Sequence, residues 1–333
     1  MRKKMLIAIG SIIFLLSLTI TITFRLSFKE KTDIIANEPT VKQYKRQEEK
    51  KTLKKVLTSD VERLFDSYPD LKKTAVNTSM KIPIYKSYVP QGLTVEENHL
   101  FITAYDSIGK MPSSCTVLNQ FGEPIHVTSL DTTSHVGAVS YDSKRDLLWI
   151  PTGVGELSAY DFYDVIDNEN VIAAFDFEHL VNYFIDYITI DGDFLFIGQF
   201  SPKENGIVTK FKIEGEYANI SLKRMNAFVV PPKVQGMTFY SDENSKYMFL
   251  SRSYGRHNSS LLEVYSYRDD IVDFTDSDLE VAVLKLPPML EQIQVYESKI
   301  YTLFESSALK YENCREKIER ICILDINKVL DMN

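Results

Sequence analysis

Cysteine is scarce in this chain: three in 333 residues, at Cys115, Cys314 and Cys322. Thiols so few and so scattered do not supply a structural zinc site. Basic residues are outnumbered, 38 Lys and Arg against 46 Asp and Glu, for a formal net charge of -8. That balance excludes nucleic acid as a partner, because phosphate binding needs a concentrated basic face. There is no phosphate-binding glycine loop and no Gly-x-Ser-x-Gly elbow, so the common nucleotide-binding and serine-hydrolase signatures are absent. His99, His126, His179 and His257 show no ligand spacing and read as surface or loop residues. The sequence indicates no metal site and names no cofactor.

What is present begins at the N-terminus. Arg2, Lys3 and Lys4 precede a run without charge from Met5 to Phe24, and about 20 apolar residues suffice to cross a bilayer core. The run ends in Thr21-Ile22-Thr23-Phe24, without a small-x-small cleavage site, and no cysteine follows for a lipid anchor. Residues 1–25 therefore read as an uncleaved signal anchor with the remainder exported, although Arg25, Lys29 and Lys31 weaken the charge asymmetry. The expected location is the cell membrane, single-pass, with the C-terminal part outside the cytoplasm.

Residues 26–79 are polar and charged, and their centre has helical spacing. Leu53, Val56, Leu57, Val61, Leu64 and Phe65 fall at three- and four-residue steps. Lysines at 50, 51, 54 and 55 take the opposite face, and Thr40 with Gln43 offers a capping box further upstream. Two readings stand: a stalk helix docked on the following domain, or a helix that binds a partner.

From about Met80 a short triplet recurs, apolar then hydroxyl or amide then apolar. Its copies are Leu93-Thr94-Val95, Val139-Ser140-Tyr141, Ile188-Thr189-Ile190, Met237-Thr238-Phe239 and Ile293-Gln294-Val295. They begin roughly 46 to 56 residues apart, the period of four-stranded propeller blades. Each triplet is followed by an apolar strand, then a third strand, then a more polar fourth: in the first copy Leu100 to Tyr105, Cys115 to Leu118 and Pro124 to Leu130. The fifth copy lacks the outer strand. Ile82 to Tyr88 is expected to supply it, closing the ring and hiding the sheet edges. The fold class is all-β, a five-bladed propeller over 80–333, or six-bladed if one degenerate copy is present. In an exported domain Cys314 and Cys322 would bridge one hairpin, or Cys115 would pair across the closed first and last blades.

This repeat grammar, with Gln91-Gly92, Gln235-Gly236 and Ser134-His135-Val136-Gly137, resembles the bacterial extracytoplasmic β-propellers of the broad NHL-repeat and SMP-30-like group. The lactonases of that group hold a metal on the channel axis with carboxylates and amides. No such set maps onto this chain residue by residue, so that activity does not carry over.

Residues just before each triplet strand should ring one mouth of the channel: Gln91, Gly137 with His135, Asp186, Gln235 and Glu291. A second row, at the ends of the next strands, holds Ala104, Thr152, Gln199, Arg252 and Glu305. Three readings compete. The ring residues satisfy buried backbone and channel waters. Alternatively they bind a polysaccharide, peptide or small molecule, with Gln91, His135, Gln199, Gln235 and Arg252 donating hydrogen bonds and Tyr105 or Phe200 giving an apolar face. Or Asp186 with Glu291 or Glu305 acts as acid and base on a carbohydrate or lactone. A scaffold that binds proteins through its rim would need no polar centre.

Overall fold

The hydroxyl at the centre of three of the triplets explains why the motif repeats, because it ties one blade to the next. In the computed structural model, which describes residues 61–83, 86–96, 98–217 and 219–332, Thr94 Oγ1 accepts from the Tyr141 amide at 3.3 Å. Ser140 Oγ accepts from Ile190 N at 3.0 Å, and Thr238 Oγ1 from Val295 N at 3.1 Å. The middle residue of one triplet thus satisfies the backbone of the third residue of the next. A buried N–H left without such a partner is costly, so the small hydroxyl recurs.

Five antiparallel four-stranded sheets carry these triplets. Blade 1 comprises β2 (Tyr88–Glu96), β3 (His99–Asp106), β4 (Ser114–Asn119) and β5 (Pro124–Ser129). Blade 2 comprises β6 (Ser140–Asp142), β7 (Leu147–Gly153), β8 (Glu156–Asp161) and β9 (Phe175–Phe177). Blade 3 is β10 (Tyr187–Asp191), β11 (Phe194–Gly198), β12 (Gly206–Glu214) and β13 (Ser221–Val230). Blade 4 is β14 (Val234–Ser241), β15 (Lys246–Arg252), β16 (Ser260–Ser266) and β17 (Glu280–Leu286). Blade 5 takes β18 (Leu290–Tyr296), β19 (Lys299–Phe304) and β20 (Cys322–Asp325) from the C-terminal end, and β1 (Ala75–Asn77) from the N-terminal end. The innermost strands touch in the order β2, β6, β10, β14, β18 and back to β2. The chain is an all-β, five-bladed propeller.

Closure happens as the repeat implies, but not with the expected segment. The outer strand of blade 5 is β1, pairing Ala75 with Leu324 and Asn77 with Ile323. It lies in the stretch read from sequence as linker. Ile82 only continues the contact, its amide bonding Glu319 O at 2.9 Å. The next residue, Pro83, has no N–H to extend a ladder, and Tyr88 already belongs to β2. The outer strand of blade 2, β9, has only three residues. Residues 168–171 lie instead along β5: Ser129 pairs with Asn170, and Val171 N donates to Ser129 O.

Two short helices precede β1: α1 (Val61–Ser67) and α2 (Pro69–Thr74). Leu64, Tyr68 and Leu71 are buried against Phe249, Leu262, Leu284, Phe304 and Leu324 of blades 4 and 5. Docking explains the described part of the apolar stripe. Arg63 adds a two-pronged pair to Glu316 at 3.2 and 2.7 Å. Asp70 accepts the Lys285 amide at 2.9 Å and so covers the free edge of β17. The remainder of the stripe, the capping box and the apolar run 5–24 lie outside the described residues. Among the described residues no helix is long and apolar enough to cross a membrane.

All three cysteines are free and buried, so neither expected disulfide forms. Cys322 occupies the hydrophobic core of blades 4 and 5, and Cys314 Sγ sits 3.1 Å from Arg256 O.

Candidate functional site

β-Bulges aim the ring residues. Antiparallel register shifts between Pro90 and Gly92, between Val234 and Gly236, and between Leu290 and Ile293. Gln91, Gln235 and the Glu291-Gln292 pair occupy those shifts, and a bulge turns a side chain out of the strand's alternation. Entry into the strands is strained as well: Val136, Lys233 and Met289 hold positive φ angles of 44, 73 and 65°. A left-handed backbone is unusual for any residue with a Cβ, and most so for a β-branched one such as Val136.

The mouth is built around two carboxyls. Glu291 at the start of β18 is buried, and it hydrogen-bonds Glu305, the residue that follows β19. Two carboxylates in contact in a dry place cannot both ionise, so the pair holds a proton. Burial, then the neighbouring Glu305 charge, raises Glu291 well above the usual carboxylate range. Glu305 is raised by burial as well, opposed by hydrogen bonds that Glu291, Tyr311 and Gln91 offer it. The Gln91 Nε2 to Glu305 Oε2 distance is 3.1 Å.

Asp186, entering blade 3, is within electrostatic reach of Glu291. Its Oδ2 accepts the Phe200 amide at 2.7 Å, and burial lifts its pKa to about 6. His135, entering blade 2, lies with its ring 4.4 Å from that of Tyr105 and 6.3 Å from Phe184. Burial, helped by the charge of Lys310, lowers it to about 4, which leaves it neutral near pH 7 with Nδ1 buried and without a partner. Lys310 Nζ bonds Tyr105 Oη at 2.7 Å and lies 5.2 Å from the centres of both the Tyr105 and Tyr311 rings.

Gln91, His135, Asp186, Glu291, Glu305 and Tyr105 thus form one connected group. Arg252 is drawn elsewhere. Its guanidinium pairs with Glu263 on the neighbouring β16 and its Nε donates to Pro232 O at 2.8 Å, so it braces blade 4. The stretch around it is a strand end and turn, as its composition suggests. Gln199 and Gln235 are half-buried at the same end of the ring, and Phe200 turns toward Tyr254 at 6.2 Å.

Three residues escaped the sequence reading. Lys310 and Tyr311 come from the 305–321 connection between β19 and β20, which crosses toward the axis; its length was a visible signal. Gln292 left none, being one more polar residue beside a triplet. Fully buried, it accepts from Leu93 N and Val139 N at 2.9 and 3.0 Å and donates to Val139 O at 2.9 Å. One side chain of blade 5 therefore bonds blades 1 and 2.

The carboxyl geometry limits the chemistry. Acid and nucleophile in glycoside hydrolysis stand about 5 Å or more apart, whereas Glu291 and Glu305 are hydrogen-bonded to each other. That pair is a proton-sharing unit. Asp186, separate from it and titrating near 6, is the better placed general acid or base. Among the described residues no group of three or more His, Cys, Asp or Glu is arranged to hold a metal ion.

The sign of the pH dependence follows. The raised pair binds protons more tightly folded than unfolded, so its stabilisation is present at low pH and lost as pH rises through the raised range. Asp186 adds a loss between its ordinary value of 3.8 and about 6. His135 adds a gain between about 4 and its ordinary 6.5, so these two oppose each other. Glu291→Gln keeps a donor toward Glu305 with no proton to lose. Thermal melts followed upward from the ordinary glutamate value of 4.5 should show the parent chain losing stability through the raised range, and Glu291→Gln losing less. Parallel profiles would rule out the shared proton.

No family model and no curated protein matches this chain. Among solved structures it is similar to the Myceliophteria thermophila Cps50 (Swd1) β-propeller domain, at 10% identity over 76% of this chain and 99% of that one, with a TM-score of 0.40. It is similar also to the major Malassezia sympodialis allergen Mala s 1, at 10% identity over 72% of this chain and 78% of that one, with a TM-score of 0.41.

Proposed function

We propose that this chain is a membrane-anchored, extracytoplasmic β-propeller, akin to the bacterial NHL-repeat and SMP-30-like group, that binds an envelope or extracellular ligand at the mouth of its ring. One observation carries the reading: Gln91, Glu291 and Glu305 of blades 1 and 5 are in hydrogen-bonding contact, with Asp186 of blade 3 in electrostatic reach and His135 of blade 2 joined to them through Tyr105 and Lys310. Placing several carboxyls together out of water opposes folding. Ring closure itself uses hydroxyls, glycines and Gln292, and needs none of them. Groups kept at such a cost are suited to a ligand that completes their hydrogen bonds, while Tyr105, Phe184 and Tyr311 offer it ring faces. The uncharged run from Met5 to Phe24 supplies the anchor.

A second reading rests on Asp186, whose elevation to about 6 suits proton transfer near neutral pH. It makes the chain a hydrolase or lyase acting on a carbohydrate or lactone. Both are tested together with the purified full-length chain in detergent, given envelope polysaccharides, peptides and small lactones while binding and product are recorded. The expected result is saturable binding without product, weakened at least tenfold by Gln91→Ala. Product that disappears in Asp186→Asn would replace the binding module with an enzyme. Binding untouched by both substitutions would sink the mouth as the site.

A further inference from the structure

The ring has a second concavity, at its other end. A groove of ≈ 680 Å³ opens at the seam of blades 5 and 1, where the β18–β19, β2–β3 and β4–β5 turns meet the closing strand β1. Its volume is within the roughly 300 to 1,000 Å³ of small-molecule sites. Tyr296 and Tyr301, both half-buried, line it together with Asn77, Asn98, Gln120 and Glu297. Flat aromatic faces beside amides and a carboxylate are what a ring bearing many hydroxyls requires. The rings cover its C–H faces, and the amides and carboxylate exchange hydrogen bonds with its hydroxyls. An alkyl chain would leave those polar groups unpaired. Glu297 and Lys299 contribute one charge of each sign, so the groove has no net field to select an ion.

A backbone anomaly at the same place points the same way. β18 and β19 are joined by the two residues Glu297 and Ser298, with Tyr296 paired to Lys299. β10 and β11 are joined identically by Gly192 and Asp193, with Asp191 paired to Phe194. The first turn residue is left-handed in both, φ +62° at Gly192 and +54° at Glu297. Blade 3 meets this demand with glycine, which has no Cβ to strain; blade 5 places a glutamate there. The exposed contact from Glu297 to Lys299, 3.9 Å apart, does not offset such strain. Strained residues gather at binding sites, and Glu297 stands at the rim of this groove.

We propose that this groove is a binding site for an uncharged oligosaccharide, with Tyr296 and Tyr301 stacking on the sugar and Glu297, Asn98 and Gln120 bonding its hydroxyls. It is distinct from the mouth, since it shares no residue with it.

The test uses the purified full-length chain and four neutral probes, chitohexaose, cellohexaose, maltohexaose and laminarihexaose, in titration calorimetry. At least one should bind saturably. Glu297→Gly should raise the melting temperature by relieving the turn and weaken that binding at least tenfold; Asn98→Ala, at an exposed position, should weaken it without changing the melting temperature. The proposal is overturned if none of the four binds, if binding keeps its parental affinity in both variants, or if Glu297→Gly lowers the melting temperature. Binding removed by Gln91→Ala but not by the groove variants overturns it too, because the sugar is then held at the mouth.

Discussion

Gly92→Ala unfolds a large part of the ring's stability margin. A Cβ built on Gly92 falls 2.3 Å from Thr103 Oγ1 and 2.6 Å from both Ala138 C and Val139 N. The last two are backbone atoms of the neighbouring blade, so no rotamer change relieves the overlap. Thr103 cannot swing aside freely either, because its hydroxyl accepts from Gly92 N at 3.1 Å and donates to Val136 O at 3.0 Å. Overpacking typically costs about 1 to 3 kcal/mol; with these buried hydrogen bonds displaced as well, a loss of about 4 kcal/mol is expected from a total of order 5 to 15. Denaturant titration measures it, with Gly109→Ala as the control. Gly109 is equally a glycine, at φ +69°, but nothing lies within 4 Å of its added Cβ, so only the backbone penalty of about 1 kcal/mol remains. If the two substitutions cost the same, close approach of the inner strands is not what holds the ring.

Gln292→Ala removes three hydrogen bonds at once and leaves Leu93 N, Val139 N and Val139 O unpaired in the centre of the protein. Each buried orphan costs about 1 to 3 kcal/mol. The sum, about 3 to 6 kcal/mol after local relaxation, rivals the glycine substitution although the side chain lost is small. Amide hydrogen exchange separates this from a general loosening. The Leu93 and Val139 amides should exchange far faster in the variant, at the same denaturant stability, than amides in the outer strands such as Phe228 of β13. Uniform acceleration across all five blades would show that Gln292 contributes only to the global fold and is not a local latch.

Gly137 and Gly236 repeat the logic of Gly92. An added Cβ on Gly137 would lie 2.4 Å from Asp186 O, and one on Gly236 would lie 2.9 Å from Gln292 Cα. Where a polar ring residue is followed by glycine, as in Gln91-Gly92 and Gln235-Gly236, the first turns toward the axis and the second lets the next blade close. The two roles need adjacent positions on a bulge, and that is why the dipeptide recurs in the sequence.

The triplet spacing by itself indicated a ring of four-stranded blades, five or six of them, and the order of the strands within each. Those properties are local: four of the five blades are contiguous stretches, and their apolar alternation and small polar centre recur from blade to blade. Only the tertiary structure decided the rest. The closing strand Ala75–Asn77 has three residues, too few for a period to be visible, and its partner β20 lies at the far end of the chain. Glu291 and Glu305 come to share a proton, and Arg252 leaves the mouth for Glu263, through side-chain directions set by bulges and by pairing across strands. Gln292 holds Val139 across a sequence separation of 153 residues. Such pairings depend on which chain segments closure brings together, and no local pattern in the sequence records them.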